Sequence, residues 1–345
     1  MPFQVTLQKT GHRFAVPDGQ SVLAAASAAG YTLAYGCRGG SCGACKGKLI
    51  EGTVDYGAHM PYTLSEIEKK AGFALFCTAK PLSDLVIDAR EIGGMGGIEV
   101  KKLPVRILSI DKPAPDVAVL RLKLPANIEW KFLAGQYVEF LLRDNRRRAY
   151  SMANAPHVVE HLELHVRHMP GGVFTDPVFT TMKEKDILRL EGPMGTFFLR
   201  EDSDKPIVFV ASGTGFAPIK AIIEHMLHVG IVRPMVLYWG GRRPADLYMN
   251  ALCRQWEAGH GWFTYVPVVS DATADDAWTG RTGFVHRAVM ADFPDLSGHQ
   301  VYACGAPVVV DSAKSDLVEQ CGLPAEEFFA DSFTPSVDVP ATSPT

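Results

Sequence analysis

Within the ten residues Gly36-Cys37-Arg38-Gly39-Gly40-Ser41-Cys42-Gly43-Ala44-Cys45 stand three cysteines and four glycines. The spacing C-x4-C-x2-C, with Cys77 well downstream, is the plant-type [2Fe-2S] pattern. Four thiolates have to converge on two irons, and the sulfides between them need N–H donors from a backbone poor in side chains. Glycine at 36, 39, 40 and 43 permits that approach and the turns of positive φ it requires. Zinc competes for such residues, but structural zinc sites usually come as two short Cys/His pairs, not as a triplet facing one distant cysteine. A disulfide loop is the other competitor. The N-terminus alternates like a strand instead of reading as a signal peptide, so a reducing, cytoplasmic compartment is expected. Of the seven cysteines, Cys253, Cys304 and Cys321 remain, too scattered for a disulfide framework.

Other stretches carry weaker signals. In Arg148-Ala149-Tyr150-Ser151, residues two apart on a strand share a face, which sets a guanidinium beside an aromatic plane. The arginine can hold a phosphate, the tyrosine can lie along a flat ring system, and Ser151 offers a hydroxyl to a ring nitrogen. Arg146-Arg147-Arg148 also reads as a solvated charge run, and Tyr150 as a core residue. Gly171-Gly172-Val173-Phe174-Thr175 can turn backbone N–H groups toward a pyrophosphate, or can simply be a hairpin turn. Ile207 to Ala211 is a buried-type strand, followed by Ser212-Gly213-Thr214-Gly215-Phe216-Ala217-Pro218 and an amphipathic helix. Strand, glycine turn and helix is the context of a nucleotide-phosphate site, here without the third glycine of the common dinucleotide fingerprint. Gly240-Gly241-Arg242-Arg243 ends a later strand and suits a ribose or its 2′-phosphate. Cys304-Gly305 ends another, where Cys304 alone reads as inert packing.

The elements that must position these groups fall into three domains, a multidomain α+β chain. Residues 1–92 read strand, strand, helix, strand, helix, strand, a β-grasp unit with the cysteine loop at one end. The helix spans Ser21 to Ala29, and Ser65-Glu66-Ile67-Glu68 has the form of a capping box. Residues 93–102, with Gly93-Gly94-Met95-Gly96-Gly97, read as a linker that either lets the first domain swing or docks as a rigid turn. Residues 103–202 are strand-rich, an antiparallel β-barrel. Residues 203–335 alternate apolar strands with helices, a parallel α/β domain, and 336–345 is a proline-rich stretch expected to be disordered. The net charge of −4 argues against nucleic acid, and no apolar run is long enough to suggest membrane insertion.

Together these motifs resemble the ferredoxin-NADP reductase superfamily with a fused plant-type ferredoxin. Within it the chain is similar to the CDP-6-deoxy-delta-3,4-glucoseen reductases, through Leu133-Ala134-Gly135-Gln136-Tyr137, Arg148 to Pro156, Gly192-Pro193-Met194-Gly195-Thr196-Phe197-Phe198 and Trp278 to His286. Oxygenase reductase components look alike in layout. The resemblance implies FAD held by Arg148, Tyr150, Ser151, His165 and Arg167, with its pyrophosphate on Gly171, Gly172, Val173 and Thr175. It implies NADH or NADPH at Gly213, Thr214, Gly215, Pro218 and Arg242, with Cys304 and Gly305 near the nicotinamide. Asp331 and Phe333 match a terminal segment that closes over the flavin, so Ser151, Cys304 and Phe333 are the residues expected at the reacting atoms.

Electron counting then gives a function. A nicotinamide donates two electrons as hydride, a [2Fe-2S] cluster takes one, and a flavin between them converts one to the other. The expected acceptor is a partner protein, either an oxygenase component or a deoxysugar dehydratase. The alternatives are a diaphorase that reduces free flavin or quinone, and a non-catalytic redox sensor or regulatory subunit. The choice of NADH over NADPH is only slightly favoured, because Arg242 and Arg243 suit either.

Overall fold

The computed structural model describes residues 2–93, 98–143 and 146–334, so Gly94 to Gly97 of the expected linker and the expected disordered tail lie outside the described residues. The chain divides into two compact units, Met1–Ile98 and Glu99–Thr345.

In the first unit, β1 (Phe3–Leu7) and β2 (Arg13–Val16) form a hairpin, and α1 (Val22–Ala28) follows. Ser21 caps α1 by accepting from the Ala24 N–H, and the alternating burial of β1 and β2 faces its apolar side. Next come β3 (Lys46–Glu51), β4 (Val54–Asp55), α2 (Glu66–Lys70), β5 (Phe73–Leu75), β6 (Lys80–Pro81) and β7 (Leu85–Asp88). The main sheet runs β2-β1-β7-β3-β5, with β7 parallel to β1 and antiparallel to β3. The expected capping box is present, since Ser65 Oγ accepts from the Glu68 N–H and the Glu68 carboxylate accepts from the Ser65 N–H. Strands β4, β5 and β6 are too short to leave a period in the sequence.

The second unit begins with a barrel: β8 (Lys101–Ala114), β9 (Val117–Lys123), β10 (Tyr137–Leu141), β11 (Arg147–Ser151), β12 (Leu162–Arg167), α3 (Thr175–Thr180) and β13 (Ile187–Met194). Its sheet order is β11-β10-β13-β8-β9-β12. A bridge between Met152 and Leu164, with the Ala153 N–H donating to Glu163 O, joins the two ends and closes it. Lys101 and Lys102, expected in the linker, belong to β8, because Glu191 and Gly192 of β13 pair with them.

The rest of that unit is doubly wound: β14 (Ile207–Ser212), α4 (Phe216–Val229), β15 (Met235–Gly241), α5 (Asn250–Gly259), β16 (Phe263–Val269), β17 (Arg281–Thr282), α6 (Val285–Asp292), β18 (Gln300–Gly305), α7 (Pro307–Gln320) and β19 (Phe328–Ser332). The strands run parallel in the order β17-β16-β15-β14-β18-β19. One face buries Phe209, Phe216, Trp239 and Tyr302, and the other buries Val208, Val210, Val289 and Leu317. The terminal strand β19, absent from the sequence reading of elements, adds an edge that carries Asp331 into register with Cys304.

Candidate functional site

The cysteine loop is held against the segment that follows β4. Thr63 Oγ1 donates to Gly40 O at 2.8 Å and the Met60 N–H donates to the same carbonyl at 3.1 Å. Gly40, at φ +72°, has no room for a side chain, since a Cβ would lie 2.8 Å from Ala58 O. Of the four glycines read as turn residues, Gly40 and Gly43 take positive φ, and the third such position is Arg38 at φ 58°. The N–H groups of Gly39 and Ser41 point at Cys37 Sγ at 3.4 and 3.3 Å, and that of Cys37 points at Cys42 Sγ at 3.3 Å. The thiols fall into two neighbouring pairs, with Cys37 perturbed most by Cys42 and Cys45 most by Cys77. Among the described residues no three His, Cys, Asp or Glu side chains gather as they would around one ion. Two sulfur pairs flanked by N–H groups fit a two-iron cluster better than a single zinc.

On β11, exposure alternates so that Arg148 and Tyr150 share the half-buried face. The Tyr150 ring packs 5.1 Å from that of Phe174 and 5.8 Å from that of Phe140. The arginine run divides its work: Arg147 pairs with Glu139 and Glu191 at 2.8 and 2.7 Å, while the Arg148 guanidinium donates to Arg147 O at 2.8 Å. Ser151 is buried, and its hydroxyl donates to Asp331 Oδ2 at 3.2 Å.

The loop before α3 spends part of its polar capacity internally. The Gly171 N–H donates to Asp176 Oδ2 at 3.0 Å, and Thr175 Oγ1 donates to Met169 O at 2.8 Å. Gly172 is required sterically, since a Cβ there would lie 2.3 Å from Thr175 Oγ1. Val173 is half-buried in the same turn.

The strand ends of β14 and β18 meet through glycine. A Cβ on Gly215 would lie 2.1 Å from Cys304 O, and one on Gly305, at φ +135°, would lie 2.2 Å from Ser212 Oγ. Ser212 Oγ accepts from the Ala306 N–H at 2.9 Å, and Trp239 Nε1 donates to Gly213 O at 3.0 Å. Thr214 and Pro218 are buried in the same turn. Cys304 is fully buried, and burial pushes its thiol well above the ordinary value, so it stays protonated. The Phe333 N–H donates to Gly305 O at 2.8 Å, and its ring packs on the core that holds Phe216, Trp239 and Cys304.

Arg167 stands between the barrel and this turn. Its guanidinium would lie 3.4 Å from a Cβ on Gly213, and Asp116 and Asp246 approach it at 3.4 and 4.0 Å. Its Nε and Nη2 are buried and find no hydrogen-bond partner among the described residues. Buried donors without acceptors beside a glycine turn are what an anionic diphosphate would satisfy, so these residues fit FAD and a nicotinamide dinucleotide. His165 fits differently, because both ring nitrogens are taken: Nδ1 lies 2.8 Å from Tyr248 Oη and Nε2 lies 3.2 Å from Glu163 Oε1. At the end of β15 Arg242 is exposed with its N–H held by Asp246 at 2.8 Å, whereas Arg243 is engaged by Thr273 and Asp276, both at 2.9 Å.

Sequence reasoning passed over the buried Glu163 and Lys220 and the half-buried Tyr248 around His165. The signal was there for one of them, a lysine interrupting the apolar side of α4; in β12 Glu163 alternates with apolar residues as His165 and Arg167 do, which reads as an ordinary polar strand face. Burial opposes ionisation of Glu163, but the His165 hydrogen bond and the Lys220 charge overcome it and hold the carboxyl well below the usual range.

Comparison with known proteins identifies all three parts. Family models match residues 5–82 as a 2Fe-2S iron-sulfur cluster binding domain, 104–199 as an oxidoreductase FAD-binding domain and 209–315 as an oxidoreductase NAD-binding domain. The CDP-6-deoxy-L-threo-D-glycero-4-hexulose-3-dehydrase reductase of Yersinia pseudotuberculosis is 39% identical, over 97% of this chain and 100% of that protein. Reductase component 1 of the terephthalate 1,2-dioxygenase of a Comamonas species is 36% identical, over 100% and 99%. The crystal structure of a cytochrome P450 reductase from Amycolatopsis superposes with a TM-score of 0.77 at 33% identity, covering 96% of this chain and 99% of that one. No helix among the described residues is long and apolar enough to cross a membrane. The chain therefore belongs to the ferredoxin reductase-like family of iron–sulfur flavoproteins, oxidoreductases built on a [2Fe-2S] cluster, FAD and a nicotinamide dinucleotide.

Proposed function

We propose that this chain oxidises NAD(P)H and delivers the electrons singly, through its cluster, to a separate acceptor protein of the deoxysugar dehydratase or oxygenase type. The observation that carries the reading is the meeting of Ser151, Cys304, Asp331 and Phe333: a barrel strand end and two parallel strand ends converge where flavin and nicotinamide must touch. FAD, when bound, supplies the ability to accept two electrons together and release them one at a time.

The protein's own work is positioning. Arg148 and Tyr150 hold the flavin nucleotide, Gly171, Gly172, Val173 and Thr175 flank its pyrophosphate, and the orphaned Arg167 donors answer phosphate charge. His165, fully buried with both nitrogens engaged by Glu163 and Tyr248, does not reach the cofactor itself and instead braces the strand that carries Arg167. The Ser151 hydroxyl, oriented by Asp331, faces the flavin ring. Gly213, Thr214, Gly215 and Pro218 shape the dinucleotide site, with Arg242 at its ribose end. Cys304 and Gly305 wall the nicotinamide with an uncharged thiol, and Phe333 excludes water from the reacting atoms. Cys37, Cys42, Cys45 and Cys77 hold the cluster. Because Arg243 is already engaged by Asp276, NADH is favoured over NADPH. All seven cysteines are free, which suits a reducing, cytoplasmic setting.

Cys42→Ser tests the order of the centres. With the cluster gone, NADH-driven reduction of cytochrome c, a one-electron protein acceptor, is expected to fall at least about tenfold while reduction of ferricyanide by the flavin is retained. Equal cytochrome c activity in the variant would make the chain a flavin reductase with a structural metal.

A further inference from the structure

Buried charge is expensive unless it is fully paired, and this chain buries a charged network between its barrel and its nucleotide-binding part. Lys220, in the second turn of α4, is only 7% exposed. Its ammonium spends its three N–H donors on Glu163 Oε1 at 3.1 Å, Glu224 at 2.9 Å and Ala153 O at 3.0 Å. Arg121 takes the other Glu163 oxygen at 3.1 Å. The Glu163 N–H donates to Asn154 Oδ1 at 2.8 Å.

The network continues on the far side of Glu163. An ionised carboxylate only accepts, so His165 Nε2 carries a proton toward Glu163. Burial favours the neutral imidazole, leaving Nδ1 to accept from the Tyr248 hydroxyl at 2.8 Å. Tyr248 in turn stands edge-on to Trp239 and Phe216, with ring centroids 5.2 and 6.3 Å away.

The two ends of this chain of bonds lie close in sequence to the groups that must meet. Ala153 is two residues beyond Ser151, and α4 begins where the Gly213–Gly215 turn ends. His165 is two residues before Arg167 on the same strand. We propose that Lys220, through the Tyr248–His165–Glu163–Lys220 network, is the positioning residue that sets the gap between the flavin and the nicotinamide. The inference rests on the reading that hydride passes between the two sites that Ser151 and Gly213–Pro218 border. Polar bonds of fixed length suit this task better than apolar contact, which resists separation but sets no exact spacing or direction. Lys220 touches neither reactant. Its effect is on the fraction of bound nicotinamide already in a reactive pose.

The test is Lys220→Met, which keeps the length of the stem and removes the three donors. Anaerobic stopped-flow mixing with NADH reads the limiting rate of flavin bleaching, the NADH dissociation constant and the long-wavelength charge-transfer absorbance of the nicotinamide–flavin complex. We expect the limiting rate to fall at least about tenfold and the charge-transfer band to weaken, with the dissociation constant within about threefold of the parent. FAD content, and electron flow from dithionite-reduced flavin to cytochrome c, stay unchanged. Before any nucleotide is added, amide hydrogen exchange across 213–224 is expected to quicken. An unchanged limiting rate with only a lower melting temperature would make the network a plain structural tie and overturn the proposal. Should Lys220→Met fail to fold, Tyr248→Phe keeps the ring and deletes the bond to His165: a loss of about threefold or more in limiting rate is expected, and none would overturn it. Failure of both NADH and NADPH to bleach the parent protein would instead defeat the functional reading itself.

Discussion

At the scale of single residues, one glycine and one serine carry the most weight. Gly215 lets the first strand end of the parallel sheet pass against Cys304 O, where a Cβ would come within 2.1 Å of backbone. Backbone cannot swing aside as a flexible side chain does, so Gly215→Ala is expected to cost roughly 1–3 kcal/mol in urea unfolding. Ser151 is a different case, because its hydroxyl has a partner in Asp331 and, in the function proposed above, stands beside the flavin. Ser151→Ala should keep FAD and slow flavin reduction at saturating NADH by roughly tenfold or more, as expected on losing a polar group that Asp331 orients beside the reacting atoms. A variant that instead lost FAD with unchanged rate per bound flavin would assign Ser151 to binding alone.

At the scale of elements, the capping box of α2 is a five-residue helix's chief local support, since the helix buries no residue fully. Ser65→Ala should lower the stability of the first unit by about 1 kcal/mol, read by thermal or urea melting. In β12, Glu163 makes stability depend on pH. Its folded carboxyl titrates well below its unfolded value of 4.5, so its contribution is complete above that value and is lost as the pH falls through the folded one. Melting temperatures measured from pH 6 downward should therefore decline less steeply in Glu163→Gln than in the parent, from a lower starting value. Parallel slopes would contradict the pairing of Glu163 with Lys220 and His165.

The same elements show what could be read without coordinates. Capping residues, alternating strands and the strand–glycine–helix turn are local patterns, and Ser21, Ser65 and Gly213–Gly215 stand where those patterns predict. Contacts between distant residues leave no such trace. Nothing in the spacing of Ser151 and Asp331, or of Glu163 and Lys220, says that barrel closure and a terminal parallel strand bring them together. Positive φ at Arg38 was also illegible, because the loop's packing imposes it on a residue that does not favour it. Arg147 and Arg148 were ambiguous for a related reason: pairing with Glu139 and Glu191 depends on strand register, which sequence alone does not fix.

At the scale of the whole molecule, one polypeptide holds a two-electron donor site, a converter and a one-electron exit, and their order follows from electron counting. An anaerobic titration with NADH, and separately with NADPH, followed by flavin absorbance and by electron paramagnetic resonance, reads that order. If the three centres form one path, the flavin bleaches and a reduced [2Fe-2S] signal grows with it, at lower nucleotide concentration for NADH. Bleaching with no cluster signal would break the path between flavin and Cys37, Cys42, Cys45 and Cys77, and no response to either nucleotide would contradict the reductase assignment outright.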